Sequence, residues 1–408
     1  MTHGKRQFRT AIVLLVVVLA WASGPRARVA DSGTVELPAS LTDKEFWALS
    51  GELSEPNGSF QSDNLLSNEI VFARLVPELI TRTKPGGVYL GVGPEQNFTY
   101  IAAMKPRMVF ITDIRRGNLH MQLMYKALFE LSADRAEFVS RLFTKPRPAT
   151  LTASSSVTDI MNAYWDIRTS DEATYNRNLE AIQQHLTKTH ALPLPEDDLQ
   201  GIAAVYRTFY WYGPAMTYAA STSLRGQGSG TSYWDLMVQG DNGTEAPSYL
   251  GSEEKFRFMK ELERKNLLVP VVGNFSGPKA LRAIGSYLRS KQATVTAFYL
   301  SNVESYLRRD GTWPAFCANV ASMPLDEGSV FIRPSAAVFR VNGQVQVIQQ
   351  LVGSNGSVGN FRVLPPAQPT APTIGPAPSN SSGLVPMAQE VSACKAQVTH
   401  AVDGVERR

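Results

Sequence analysis

The residues best suited to chemistry lie in a glycine turn that follows a short apolar run. The run Val88–Leu90 leads into the turn 91–97, GVGPEQN, and an aspartate stands 20 residues after Gly93. Glycines let a backbone approach a ligand, and the carboxylate can accept hydrogen bonds from a ribose. The spacing predicts a nucleoside or nucleotide site, and the alternative is an ordinary tight turn with a solvated aspartate. The predicted cofactor-binding residues are Gly91, Gly93, Pro94, Glu95, Gln96, Asn97 and Asp113.

Two classes of ligand compete for this turn. A dinucleotide site needs a third glycine where Gln96 stands, because the helix packs closely beneath the pyrophosphate, so the turn disfavours NAD. Arg115 and Arg116 can serve the 2′-phosphate of NADP, or they belong to a solvated loop. An adenosyl compound without phosphates makes weaker demands on the backbone.

A second group of polar residues follows two later apolar runs, where parallel strands would end at the same crevice. Asn and Glu side chains there can orient a substrate or transfer a proton; helix capping by Ser276 and Asn302 is the alternative. Aromatic residues between 206 and 234 can roof an apolar ligand, unless they form the core of their own segment. The predicted substrate-contacting residues are Asn274, Phe275, Ser301, Asn302, Glu304, Tyr210 and Trp211.

Other catalytic patterns are missing from the sequence. It contains no Gly-x-Ser-x-Gly elbow and no phosphate-binding Gly-x4-Gly-Lys-Ser/Thr loop, which argues against the commonest hydrolases and NTPases. The histidines beyond the N-terminal segment show no spacing typical of metal sites, so no metal is predicted. No residue can be named as a general base. Cys317 and Cys394 either form one disulfide or leave a free thiol.

The elements that must position these residues follow an α/β pattern. Strand, glycine turn, short helix and strand make a βαβ unit, and Asn342-Gly343 between alternating runs predicts a hairpin. The fold class is therefore α/β, a Rossmann-like, mostly parallel sheet with a large helical insertion and a C-terminal β-hairpin. The predicted strands are 88–93, 108–113, 268–272 and 294–300, and the predicted helices are 94–104, 118–131 and those of 135–265.

Composition and charge bound the class of protein. The chain of 408 residues is 43% hydrophobic with a formal net charge of +4, which excludes a disordered chain. Residues 1–30 hold five basic residues and no acidic one, so the remainder is nearly neutral. A neutral body does not bind nucleic acid through bulk charge, and we expect a small-molecule partner.

The N-terminus has the pattern of a secretory signal. Lys5, Arg6 and Arg9 precede an apolar run over 11–22 that ends in Ala20-Trp21-Ala22. A run of that length rises about 18 Å as a helix, well short of the hydrocarbon core of about 30 Å. We expect export to the periplasm or the medium, with no stable membrane span after cleavage. The alternative is an uncleaved anchor.

The chain divides into segments of different character. From Leu65 to Ile80 apolar residues recur at a helical period, whereas the residues before them are polar and broken by prolines and glycine. After about Pro365 a Pro/Ser-rich composition predicts a tail that cannot bury a core of its own. The predicted segments are a signal peptide at 1–22, a lead-in at 23–60, the two halves of a Rossmann-like domain at 61–134 and 266–350, a helical insertion or cap at 135–265 and a tail at 351–408.

Four stretches of the sequence carry a family resemblance. The runs 88–97, 108–116, 269–275 and 297–304 resemble an uncharacterised bacterial family with a methyltransferase-like Rossmann domain, over roughly residues 40–335. The first βαβ unit is also similar to the S-adenosylmethionine motif of class I methyltransferases. Gly93 matches the first glycine of that motif and Asp113 its ribose-binding acid, whereas Gly91 stands in place of an acid and Glu95 and Asn97 in place of two glycines.

The resemblance implies an exported, methyltransferase-like protein that binds a nucleoside-containing or other small ligand. The cofactor that it implies is S-adenosylmethionine, and no other cofactor is indicated. An alternative is a non-catalytic envelope binding protein on a degenerate methyltransferase scaffold. A third is an NADP-dependent oxidoreductase.

Overall fold

Short apolar strands organise the protein in a computed structural model that describes residues 1, 36–67, 69, 72–165, 167, 171–218, 231–241, 246–333, 337–341, 344–348 and 383–392. The strands are β1 (Val88–Gly91), β2 (Met108–Asp113), β3 (Leu268–Val272), β4 (Val295–Tyr299), β5 (Val330–Ile332), β6 (Ala337–Val341), β7 (Gln344–Ile348) and β8 (Leu384–Pro386). Six of them form one sheet in the order β3-β2-β1-β4-β5-β8, and β6 pairs with β7.

The six-stranded sheet is parallel except at one edge. Each neighbouring pair from β3 to β5 is parallel, and β8 pairs with β5 in the antiparallel direction. Every residue of β1, β2 and β3 is buried. Strands buried on both faces are continuous apolar runs rather than alternating ones, and that is the pattern in the sequence. The predicted mostly parallel sheet is confirmed.

Helices connect and cover these strands. They are α1 (Asp43–Leu53), α2 (Val76–Arg82), α3 (Gln96–Met104), α4 (Arg116–Leu131), α5 (Arg135–Leu142), α6 (Val157–Trp165), α7 (Glu172–Gln184), α8 (Glu196–Tyr212), α9 (Tyr233–Val238), α10 (Glu253–Arg264), α11 (Ala280–Ser290), α12 (Val303–Arg309) and α13 (Trp313–Ala321). Between β2 and β3 the elements of the described residues are helical, as predicted. There α4 packs on β3, and α8 and α10 pack on α4. Within the described ranges, no helix has both the length and the apolar character needed to cross a bilayer.

The lead-in contains a helix that the sequence analysis did not predict. Helix α1 starts at a capping box in which Thr42 accepts a hydrogen bond from the Glu45 N–H and the Glu45 carboxylate accepts one in return. Its buried residues Phe46, Leu49 and Leu53 belong to the common core, and α1 packs on β3 and α11. Three buried apolar residues on one face are enough for a docked helix, although the surrounding segment is polar.

The helix predicted to start near Leu65 starts later. A short 3₁₀ turn covers Phe72–Leu75, and α2 begins only at Val76 with Pro77 in its first turn. Proline is accommodated at the start of a helix and disrupts its interior, so an unbroken helix from Leu65 to Ile80 was a wrong prediction. Leu66 is buried, whereas Ile80 is 54% exposed.

Two strands were missing from the predicted sheet. Strand β5 has three residues, too few for a periodicity signal. Strand β8 comes from the tail predicted to have no core of its own, yet Leu384 and Met387 are buried. Pro386 is tolerated there because an edge strand can lack an N–H on its free side. A segment without a core of its own has therefore joined a core formed elsewhere.

Of the remaining sequence predictions, one is confirmed by the structure and several concern residues that lie outside the described ranges. The hairpin is present as β6 and β7, from the Ala337–Ile348 pair to the Val341–Gln344 pair. The predicted signal peptide, the Asn342-Gly343 turn, most of the tail and Cys394 lie outside the described residues. Cys317, on α13, is disulfide-bonded and therefore not a free thiol.

Candidate functional site

A cavity of about 440 Å³ opens at the carboxyl ends of β1, β2, β3 and β4. Ligands of open parallel sheets bind at this edge, where the strand order reverses. Strand β1 marks that point, since β2 lies on one side of it and β4 on the other. The volume falls in the range of about 300–1,000 Å³ usual for small-molecule sites. The predicted site residues that line it are Gly93, Pro94, Gln96, Asp113, Asn274, Phe275, Ser301 and Asn302.

Part of the cavity wall comes from segments that the sequence analysis did not connect with the site. Phe60, in the lead-in, and Tyr306, on α12, line the cavity with their ring centroids 5.0 Å apart in an edge-on contact. Tyr218 lines it too, and its hydroxyl donates a hydrogen bond of 2.8 Å to Asn64 Oδ1. No local spacing pointed to Phe60 or Tyr306, because these residues are far apart in the chain.

The glycine turn is held in shape by one side chain, that of Asn97. Its Oδ1 accepts a hydrogen bond of 2.8 Å from the Tyr89 hydroxyl, while its Nδ2 donates to the carbonyls of Val92, at 2.9 Å, and Pro94, at 2.7 Å. A Cβ on Gly91 would lie 2.0 Å from Asn97 Oδ1. Gly91 and Asn97 therefore shape the turn from behind and do not line the cavity.

Gly93 presents its backbone to the cavity. Its φ is +78°, a conformation that favours glycine, and a Cβ built there would meet no atom within 4 Å. Its carbonyl oxygen accepts hydrogen bonds from Asn118 Nδ2, at 2.9 Å, and Gln122 Nε2, at 3.2 Å, both on α4. A ligand can therefore approach the peptide at Gly93 while its carbonyl is held from the opposite side.

Asp113 ends β2 in the cavity wall and is already paired. Its Oδ1 accepts hydrogen bonds from the Arg115 backbone N–H, at 2.9 Å, and Nε, at 3.1 Å, and its Oδ2 accepts one from Nη2 at 3.0 Å. Both side chains are largely buried and both line the cavity. Oδ2 retains lone-pair capacity for a further donor, such as a ligand hydroxyl.

The neighbouring arginine turns away from the cavity. Arg116 donates from Nε and Nη2 to the two carboxylate oxygens of Asp198, both at 2.6 Å, and His120 Nε2 lies 2.8 Å from Asp198 Oδ1. Asp198 belongs to the first turn of α8, so these contacts attach α8 to α4. Arg116 is thereby committed to a structural ion pair.

The loop after β3 is organised by a carboxylate from the lead-in. Glu55 accepts hydrogen bonds from the backbone N–H groups of Asn274, Lys279 and Ala280 at 2.8–3.0 Å. Asn274 Oδ1 accepts from the Ser276 N–H and hydroxyl, both at 3.0 Å. The N-cap position of α11 is Lys279 and not Ser276, so capping by Ser276 was a wrong alternative.

The loop after β4 supplies a second polar patch. Asn302 occupies the N-cap position of α12 but makes no side-chain capping bond, so the capping alternative was wrong here too. Ser301 has a φ of +48°. Phe275 is 3% exposed and packs on Phe298 with ring centroids 5.1 Å apart, so it contributes mainly an apolar edge to the cavity.

Three predicted substrate residues do not line the cavity. The carboxylate of Glu304 accepts a hydrogen bond of 2.6 Å from Arg333. Tyr210 packs on Tyr175 with ring centroids 4.7 Å apart, and Trp211 is 73% exposed. Tyr206, Phe209 and Tyr233 are fully buried, so the aromatic residues of this region mostly form its own core, the alternative left open by the sequence.

Glu95, in the glycine turn, is completely buried behind the cavity. Burial raises the pKa of Glu95 to about 8. Hydrogen bonds from backbone N–H groups, including that of Ser67, lower this pKa and offset the effect of burial only in part. Its Oε1 accepts from Ser67 N at 3.4 Å, and within the described chain Oε2 has no partner. Three buried tyrosines, Tyr125, Tyr233 and Tyr249, lie within electrostatic range of its carboxyl group. At neutral pH Glu95 is therefore an uncharged acid.

A second buried acid, Glu69, lies under the cavity floor. Its Oε1 accepts a hydrogen bond of 2.6 Å from the Tyr299 hydroxyl. Burial raises the pKa of Glu69, and hydrogen bonds from Tyr299, Ser301 and Gln96 lower it again in part. Gln96 and Ser301 line the cavity, so Glu69 ties the two sides of its floor together. The sequence analysis missed Glu69, because a lone acid in an apolar stretch has no motif.

Comparison with known families identifies the family to which the chain belongs. A family model described as Domain of unknown function (DUF7790) matches residues 65–193 and 224–352, more than half of the chain. The chain belongs to this family. The match covers β1 to β7 and the four cavity-lining loops that follow β1, β2, β3 and β4, and its description assigns no activity. No curated protein matches the chain.

Replacing Gly91 by alanine tests the packing of the glycine turn. The new methyl group would overlap Asn97 Oδ1 and approach the Tyr89 ring to 2.9 Å. We expect Gly91→Ala to lower the free energy of unfolding by about 1–3 kcal/mol. Gly51→Ala is the matched control, because a methyl group there meets no atom within 4 Å on the surface of α1. Urea denaturation measures both, and equal stabilities would contradict the packing.

Replacing Glu95 by glutamine tests its neutral state. The pKa of Glu95 is about 8 in the folded protein and near 4.5 when exposed, so the folded state holds a proton that the unfolded state releases. Stability then falls as pH rises between these values. Glu95→Gln stays neutral, and we expect it to be more stable than the parent by roughly 2–4 kcal/mol at about pH 8, with little difference at about pH 4.5.

Urea denaturation across this pH range measures the effect. The stability of Glu95→Gln still falls somewhat as the pH rises, because burial also raises the pKa of Glu263 to about 8. Glu52→Gln, an exposed change on α1, controls for the loss of one carboxylate. An unchanged pH slope in Glu95→Gln would show that Glu95 is not the buried acid responsible.

Proposed function

We propose that the cavity binds a small ligand containing a nucleoside, with S-adenosylmethionine-dependent methyl transfer as its activity class. One observation carries the proposal. The Gly93 backbone and the Asp113 carboxylate, at the ends of neighbouring parallel strands, face one cavity of about 440 Å³. A glycine for close approach and an acid for ribose hydroxyls are the two requirements of a nucleoside site.

The strand order supports this assignment at the level of the fold. The order β3-β2-β1-β4-β5 is that of Rossmann-type sheets, which bind nucleotides and nucleosides at the same edge. This support is an analogy of folds, and the choice of methyl transfer rests on the class I methyltransferase pattern around Gly93 and Asp113.

The cavity offers contacts suited to each part of such a ligand. Asp113 Oδ2 can accept a ribose hydroxyl while Arg115 holds the carboxylate in place. The rings of Phe60, Tyr218 and Tyr306 provide flat surfaces for a base. Gln96 lines the cavity and its side chain interacts with Glu69 beneath it, and its Nε2 carries two N–H groups, one of which can donate to a ligand acceptor.

A second candidate is a non-catalytic binding protein on the same scaffold. The charged residues among the described cavity lining are Asp113, Arg115, Arg309 and Asp310. Both carboxylates are already held by arginines, Asp310 by Arg309 Nε at 2.9 Å, which leaves neither free as a general base. The predicted export signal also favours this candidate, since S-adenosylmethionine is a cytosolic metabolite.

The two arginines predicted to serve the 2′-phosphate of NADP both stand in ion pairs, Arg115 with Asp113 and Arg116 with Asp198, which disfavours the NADP-dependent alternative. Arg116 donates from Nε and Nη2 to the carboxylate of Asp198, so these two donors do not serve a ligand phosphate. The N-terminus of α11, which could attract a phosphate, already binds the Glu55 carboxylate.

Calorimetry of the purified chain tests the proposal. We expect saturable binding of S-adenosylmethionine or its demethylated product, and none of NADP. Asp113→Asn should weaken that binding about 10- to 100-fold, since a hydrogen bond to a charged group contributes about 1.5–3 kcal/mol. Asp197→Asn, an exposed aspartate on α8 outside the cavity, is the matched control.

A second variant distinguishes the contribution of the Asp113 carboxylate to ligand binding from that of the cavity space. Val303→Trp fills space at the cavity wall and should abolish binding even with Asp113 intact. Conversion of S-adenosylmethionine to its demethylated product in the presence of an envelope extract would support methyl transfer. Binding of S-adenosylmethionine without this conversion would support the second candidate. No saturable binding of either adenosyl compound at millimolar concentration would contradict the proposed ligand class.

We also propose that the chain is exported, on the pattern of residues 1–22. Expressed with its own N-terminus in a bacterial host, the protein should be recovered outside the cytoplasm with Ser23 as its first residue. Ala22→Arg should block cleavage, because a signal peptidase requires a small residue at that position. Mass spectrometry of the fractionated cells measures both, and an intact chain in the cytoplasm would contradict export.

A further inference from the structure

A histidine–glutamate cluster lies at the end of α4 away from the cavity. Glu130 is in the last turn of α4, and His185 and His190 bracket a single π-helical turn, His185–Thr189, that continues α7. Five residues span about 1.4 turns of an α-helix, which would separate the two rings. The π turn closes with a hydrogen bond of 3.0 Å from His190 N to His185 O and brings both rings to Glu130.

We propose that Glu130, His185 and His190 bind a divalent transition metal ion, with Zn²⁺ as the best fit. Glu130 Oε2 lies 3.0 Å from His185 Nε2 and 2.9 Å from His190 Nε2. One ligand atom from each residue lies within 4.8 Å of the others. Around a tetrahedral zinc with bonds of about 2.0–2.2 Å, ligand atoms are roughly 3.3–3.6 Å apart. Small side-chain shifts therefore suffice to admit the ion.

The groups around the three ligands are arranged as in a metal site. His190 Nδ1 lies 2.6 Å from Asp43 Oδ1, which also accepts a hydrogen bond of 2.8 Å from Asn266 Nδ2. A histidine that ligates a metal through one nitrogen usually donates its other N–H to a carboxylate in this way. Lys126 Nζ donates to Glu130 Oε1 at 2.7 Å and leaves Oε2 to face the two imidazoles.

Counting donors supports a cation between these groups. A neutral His190 that donates from Nδ1 to Asp43 has a lone pair at Nε2, and that nitrogen faces the lone pairs of Glu130 Oε2 at 2.9 Å. Two lone pairs at this distance need an added proton or a metal ion between them. A metal ion satisfies both imidazoles and the carboxylate oxygen at once.

The donor set selects the kind of metal. Two imidazole nitrogens and one carboxylate oxygen match zinc sites with three protein ligands and a fourth position for water. Mg²⁺ and Ca²⁺ prefer oxygen ligands only. The cluster is enclosed but reachable, since the side chain of His185 is 14% exposed and those of Glu130 and His190 are 8% and 9% exposed.

This site is independent of the proposed nucleoside cavity. Asn118, which contacts Gly93 beside the cavity, lies twelve residues before Glu130 on α4. At 1.5 Å per residue the two are about 18 Å apart along the helix. Loss of metal binding therefore leaves the nucleoside proposal untouched, and the converse holds.

Titration of the untagged full-length chain with ZnCl₂ tests the proposal. We expect one equivalent to bind, and one equivalent of Co²⁺ to give the visible absorption bands of a four-coordinate site with nitrogen and oxygen ligands. Glu130→Gln and His185→Ala each remove a ligand and should weaken zinc binding more than about 100-fold. Asp43→Asn removes the outer carboxylate and should weaken it about 10- to 100-fold.

His120→Asn is the matched control, because it removes another partly buried histidine paired with a carboxylate, that of Asp198. It should bind zinc as the parent does. Circular dichroism establishes whether each variant is folded. If a variant that lacks a ligand does not fold, the Co²⁺ spectrum of the parent protein alone tests whether the metal site exists. Absence of those bands, or binding that survives His185→Ala in a folded protein, would overturn the proposal.

Discussion

Polar side chains buried along α4 need partners away from water, and the rest of the structure is arranged to supply them. Asn118 and Gln122 reach the Gly93 carbonyl, and Lys126 donates to the Glu263 carbonyl at 2.5 Å. A buried polar group without a partner costs about 1–3 kcal/mol, so each contact constrains where a neighbouring element can lie. Helix α4 thereby fixes the glycine turn at one end and the histidine cluster at the other.

The same constraint explains why the helices between β2 and β3 lie where they do. The Arg116–Asp198 ion pair attaches α8 to the first turn of α4, and Glu130 attaches the π turn to its last. Between these polar contacts, apolar packing fills the interface, with Tyr125 and Phe209 rings 5.8 Å apart. Polar contacts set the alignment of the helices, and apolar burial supplies most of their stability.

The lead-in completes the candidate site from outside the sheet. Glu55 organises the loop after β3, and Phe60 forms part of the cavity wall. Neither residue stands near a recognisable motif, and each matters only because α1 docks the lead-in on β3 and α11. The glycine turn and Asp113 could be predicted because a parallel strand places its carboxyl end at the ligand edge whatever packs around it. The aromatic wall has no such local rule.

The sequence by itself determined the strands of the sheet centre, the helical character of the region between β2 and β3, and the position of Gly93 and Asp113 at one edge. These follow from local periodicity and from the geometry of parallel strands. Only the tertiary structure decided which polar groups are free. It paired Asp113 with Arg115, neutralised Glu95 by burial, and brought His185 and His190 together on a π turn. Desolvation and long-range pairing depend on what packs nearby, which no local pattern records.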